Sequence, residues 1–145
     1  MGTKSKTFFH FQSDTIKEPK NTGLIMYKQY DGYPDGLGLD IAKACLTENL
    51  EELELVNDFS DKYTQANGIG CLAATIVKVL KDGCGNVYLC EGSDKDISML
   101  DYYYVVSPSN GTVGNILISC YDAINDKLEF EGTPKEWFKK YVNDN

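Results

Sequence analysis

The chain has 145 residues, a net charge of −8, 14 basic side chains that are all lysine, and one histidine. That is the length and composition of one globular domain, 1–145, without the arginine-bearing basic face that nucleic acid or an anionic membrane surface selects. No stretch approaches the roughly 18 apolar residues of a membrane span, and Met1 to Phe11 lacks the apolar core of a leader.

The five cysteines, Cys45, Cys71, Cys84, Cys90 and Cys120, are odd in number and form no C-x-x-C pair. They read as free thiols in a reducing compartment, which places the chain in the cytoplasm, that of a host cell if the gene is a phage's.

In chain order, Lys6 to Gln12 carries Phe8, Phe9 and Phe11 and reads as a strand. Ser13 to Thr22 is a polar, hairpin-like connection to a second strand over Gly23 to Tyr30. Asp31-Gly32-Tyr33-Pro34-Asp35-Gly36 is dense turn chemistry, and Leu37, Ile41, Ala44 and Cys45 then recur at helical spacing. Glu48 to Val56 fits either a helix or a short strand. The clearest helix lies near Cys71 to Lys81, where Ile69, Leu72, Ala73, Ile76, Val77 and Leu80 form one apolar stripe, with Asn67 as its N-cap. Strands follow over Asn86 to Cys90, Asp101 to Val106 and Asn115 to Tyr121, with Asp126 to Glu131 a fourth. Ser107 to Gly114 reads as a hairpin loop. Thr133-Pro134-Lys135-Glu136 has the spacing of a capping box and opens a last helix bearing Trp137, Phe138, Tyr141 and Val142. The expected fold is α+β: a mostly antiparallel sheet of five to six strands with two to three helices on one face.

Chemistry-bearing patterns are few. His10 sits in an apolar strand, and no zinc, calcium or other metal pattern and no cofactor fingerprint occurs. Two glycine segments each precede a helix. They are Tyr30 to Gly38, with Gly32, Gly36 and Gly38, and Ala66 to Gly70, with Gly68 and Gly70. Glycine lets a ligand approach the backbone, and a helix start offers free N–H groups. The same glycines also serve tight turns and close packing. Lys28 supplies a nearby positive charge, and Tyr30 and Tyr33 could stack on a flat ring. Asp31 could accept from a hydroxyl or an amine.

Met1-Gly2-Thr3-Lys4-Ser5, the stretch Met26 to Gly38 and the stretch Ala66 to Ala74 together resemble a family of small proteins of phage and prophage genomes. Its members read MGTRS, then I-Y-R-x-x-D-G-Y-P-x-G-x-G, then N-G-x-G-C-L-A-A. This chain has Lys4 and Lys28 where arginine is usual, and Leu37 where histidine is common. The resemblance brings no activity with it. It implies a setting in which small proteins act by binding.

The sequence therefore yields three expectations. The first is a binding protein, expected to be a homo-oligomer, that sequesters a small polar molecule such as a host signalling nucleotide. Its site would comprise Lys28, Tyr30, Asp31, Gly32, Tyr33, Gly36, Gly38, Asn67, Gly68 and Gly70. The second is an interaction module that inhibits a host protein through an acidic, tyrosine-bearing surface. The third is a hydrolase using Asp31 or Asp35.

Overall fold

The computed structural model describes residues 2–11, 24–57 and 64–142, so the expected connection Ser13 to Thr22 lies outside the described residues. Among the described residues three helices accompany eight strands: β1 Ser5–Phe9, β2 Leu24–Lys28, α1 Leu39–Ala44, β3 Glu54–Val56, β4 Gln65–Asn67, α2 Gly68–Leu80, β5 Val87–Cys90, β6 Tyr102–Asn110, β7 Val113–Asp122, β8 Lys127–Gly132 and α3 Pro134–Val142. One turn of π-helix, Pro34–Gly38, runs straight into α1.

The strands form one sheet in the order β4-β3-β7-β6-β1-β2-β5, with β8 also on β7. The class is α+β as expected, but the sheet is larger than five to six strands and it is mixed. β1 runs parallel to β6, and β3 runs parallel to β4; the other joins are antiparallel. Hairpin reasoning pairs strands that are near in sequence. The β1–β6 join sets Phe8 opposite Val105, a distant pairing that no local turn signal marks. β3 makes the end of the Glu48 to Val56 stretch a short strand, one of its two expected forms, while β4, also only three residues long, has no counterpart among the expected strands. The expected loop Ser107 to Gly114 is instead mostly ladder. β6 and β7 stay paired to Asn110 and Val113, and the reversal is confined to the residues around Gly111.

Strand alternation sorts the tyrosine run. Tyr104 joins the larger core with Phe9, Met26, Val106, Ile118 and Cys120, against Leu37, Ile41, Leu72, Ile76 and Trp137 from the helical side. Tyr103 faces the other way, into a smaller core with Phe8, Ile25 and Val105 that Leu100 and Ala123 help to close. All three helices thus contribute to the same side of the sheet. At α3 the capping box forms: Thr133 N donates to Glu136 Oε1 at 2.9 Å, and Glu136 N to Thr133 Oγ1 at 3.4 Å. Trp137, fully buried, donates its indole N–H to the Ile118 carbonyl at 2.9 Å and so ties α3 to β7.

Candidate functional site

The Tyr30 to Gly38 segment is held from four sides. Asp31 has a left-handed backbone (φ 58°), and its carbonyl accepts from Leu37 N at 3.0 Å, which draws the turn closed. Gly32 N donates to Thr3 O at 3.0 Å, while Gly32 O accepts from the buried Tyr104 hydroxyl at 2.7 Å. A side chain at Gly32 would meet Ser5 Oγ at 2.7 Å, and one at Gly36 would meet the Tyr33 ring at 2.6 Å. One at Gly38 would overlap the Trp137 ring, and one at Gly2 the Tyr30 ring. These glycines are therefore points where the N-terminal residues, a turn and α3 touch, backbone to side chain. Gly2 and Ser5 of the first motif and Tyr30 and Gly32 of the second are parts of one packed joint.

Lys28 belongs to the same joint. It is only 6 % exposed, and its Nζ donates to Tyr30 O at 2.8 Å. Its charge and that of Lys43 partly offset the burial that raises the Asp40 carboxyl above its ordinary range. Tyr30 and Tyr33 remain half-exposed. The Tyr33 hydroxyl donates to Asp31 Oδ1 at 3.2 Å, and the Asp31 charge raises the phenol. Tyr33 also lines a small hollow of about 310 Å³ with Thr3, Asp101, Tyr102, Asp122 and Ile124. Asp101 and Asp122 already accept from Lys4 N and from the 124–125 backbone there.

The second segment is open where the first is filled. Gly68 has φ +84°, as α2 begins, and among the described residues nothing outside the local helix backbone lies within 4 Å of a Cβ added at Gly68 or Gly70. Asn67 stands at the N-cap position but its side chain makes no capping bond. Gly70 faces a cleft of about 590 Å³ between α2 and the β2–β5 pair, lined also by Phe9, Leu24, Ala74, Val77 and Leu89. Gly70, Ala73 and Ala74 are too small to fill the space between the helix and β5, so among the described residues the cleft is open and apolar. Lys78 and Lys81 stand at it. The Lys81 ammonium is committed to Gly85 O at 2.8 Å and Val87 O at 2.9 Å; Lys78 has no ion pair among the described residues.

Of the ten residues singled out from the sequence, Gly70 lines the large cleft, Tyr33 lines the small acidic hollow, and neither hollow contains residues of both glycine segments. Lys28, Gly32, Gly36 and Gly38 are committed to packing or backbone contacts. Sequence reasoning missed the small-residue flank of α2, although Gly70, Ala73 and Ala74 at i, i+3 and i+4 mark it. It also missed Lys6, a buried lysine whose Nζ donates to Asp94 O, Asp94 Oδ1 and Asp96 O, each at 2.9 Å. That ion pair fastens the 94–96 loop beside a cavity of about 290 Å³ that includes Cys90 and Tyr27. A lysine inside a phenylalanine-rich strand was its only signal. Cys45 and Cys120 are buried and their thiols are pushed up to about 12 by that burial, so they act as core hydrophobes.

No protein-family model matches the chain, and no curated protein or solved structure does either. Among the described residues no helix is long and apolar enough to cross a membrane, and no group of three metal-ligating side chains converges.

Proposed function

We propose that the chain is a small binding protein, of the phage and prophage kind its motifs resemble, and that its ligand occupies the cleft between α2 and β5. The observation that carries this reading is the cleft itself: about 590 Å³, apolar along its length, with Lys78 beside it, an ammonium that has no ion pair among the described residues. Pockets of roughly 300–1,000 Å³ with few polar groups suit small organic ligands. The chemistry that fits is an apolar body ending in an anionic group. This differs from the polar nucleotide expected from the glycine motifs, because the phosphates of a nucleotide would need more donors than Lys78 provides.

The test is calorimetric titration with dodecanoate, dodecanol, and a panel of cyclic dinucleotides and ADP-ribose variants. Dodecanoate is expected to bind at one site, with dodecanol weaker by a few-fold, since an exposed ion pair contributes up to about 1 kcal/mol. Ala74→Trp, which fills the cleft from an exposed helix position, should abolish binding and keep the melting temperature. Silence with dodecanoate, or full binding by Ala74→Trp, would remove the cleft as the site. Nucleotide binding that survives Ala74→Trp and is lost in Tyr33→Ala would move the site to the small acidic hollow.

A second reading, the inhibitor of a host protein, draws support from the exposed Tyr30, Tyr33 and Ile124 beside Asp31, Asp101 and Asp122. Stoichiometric capture of one host protein, lost in Tyr33→Ala, would favour it.

A further inference from the structure

β5 is an edge of the sheet, since it pairs with β2 and ends the strand order. Its sequence, Val87-Tyr88-Leu89-Cys90, carries no charge and no proline. β8 is the contrast: Lys127, Glu129 and Glu131 put a charge at every second position. Charged side chains, proline and bulges are the devices by which edges resist pairing; β5 has none of them in its own sequence, and the Lys81 ammonium and the Gly85 carbonyl cover only its first residue. Leu89 is also the more exposed of its two large apolar side chains, at 74 %, with Tyr88 at 46 %.

The register shows which backbone groups look outward. Gln29 N donates to Asn86 O at 2.8 Å, so Asn86, Tyr88 and Cys90 direct their N–H and C=O groups to β2, and Val87 and Leu89 direct theirs away. Val87 is already occupied: its N–H donates to Gly85 O at 2.7 Å, and its carbonyl accepts from Lys81 Nζ at 2.9 Å. Among the described residues, what β5 leaves open is the N–H and C=O of Leu89.

We propose that β5 pairs with β5 of a second copy, antiparallel about a two-fold axis at Leu89. The two Leu89 residues would exchange both backbone bonds, which only an antiparallel self-pairing allows with one open residue on each side. The register then places Val87 of one copy opposite Glu91 of the other. Lys81, whose ammonium is anchored at the Val87 carbonyl, meets the exposed Glu91 carboxylate of the second copy, and the contact occurs twice. This charge complementarity selects a second copy of this chain over an unrelated strand. Leu89 and Lys81 also line the cleft, but the inference needs the backbone edge and not a ligand there, so it does not rest on the ligand reading.

Sedimentation velocity over a concentration series tests it. The wild type is expected to be a dimer, and Leu89→Lys, at an exposed position, a monomer with an unchanged melting temperature. Lys81→Glu and Glu91→Lys should each raise the dissociation constant at least tenfold, and the double swap should recover most of that loss. Glu91→Lys, at an exposed loop residue, keeps the test valid should Leu89→Lys fail to fold. A wild type that is monomeric at the highest concentrations, a dimer that Leu89→Lys leaves intact, or a charge swap that restores nothing would overturn the proposal.

Discussion

The two glycine segments look alike in sequence and are opposites in space. Gly32, Gly36 and Gly38 are glycines because Ser5, Tyr33 and Trp137 stand where a side chain would go. Among the described residues Gly68 and Gly70 have nothing over them, and the space beside Gly70 is an apolar cleft of about 590 Å³. A run of glycines before a helix thus carries two different meanings. In one, the residue is absent so that the protein can fill the space. In the other, it is absent and the space remains. Only the second leaves room for a ligand.

The sharpest way to break the filled segment is from α3. Trp137 is fully buried, covers Gly38, stacks near Tyr141 with centroids 5.2 Å apart and meets Phe130 edge-on at 4.9 Å. Trp137→Ala removes this body and leaves the Ile118 carbonyl without its indole donor. The expected cost is about 3–5 kcal/mol, a fall of roughly 10 °C in melting temperature. A fall within about 2 °C would show that the joint is not held from this side.

A smaller effect is expected from adding one methyl group. Gly38→Ala pushes a Cβ into the indole, whose Cη2 would lie at 2.9 Å, and overpacking of this kind costs about 1–3 kcal/mol. Trp137→Phe in the same chain makes room for that methyl. The double variant should therefore be more stable than the sum of the two single losses predicts, with a coupling of about 1 kcal/mol by urea unfolding. Strict additivity would mean that Gly38 is glycine for some reason other than the ring.

How much of this was legible in the sequence follows the range of the interactions. The capping box at Thr133 and Glu136, the stripe on α2 and the alternation of Tyr102 to Tyr104 are local, and each is readable from spacing. The β1–β6 pairing and the insertion of β1 into the centre of the sheet are set by contacts nearly a hundred residues apart, and no spacing encodes them. The site followed the same rule. That Gly32 meets Ser5, or that Gly38 meets Trp137, depends on distant parts of the chain, so a spacing that suggests ligand contacts also arises from packing contacts. The cleft was half legible. Its small-residue flank is a local pattern on α2, but the wall opposite, at Leu24 and Leu89, comes from strands that the sequence does not place beside it.

The finest test lies within the open segment, where two neighbouring glycines should respond with opposite signs. Gly68 has a positive φ that an L-residue adopts at a cost, so Gly68→Ala is expected to lose about 1 kcal/mol although the space around it is empty. Gly70 has an ordinary helical backbone and the same empty surroundings, so Gly70→Ala should gain about 0.5–1 kcal/mol from helix propensity. Urea midpoints at constant slope would read both changes in one experiment. If Gly70→Ala lost as much as Gly38→Ala, something would have to stand over the start of α2 in solution. The contrast between a filled glycine segment and an open one would then fail at the residue that defines the cleft.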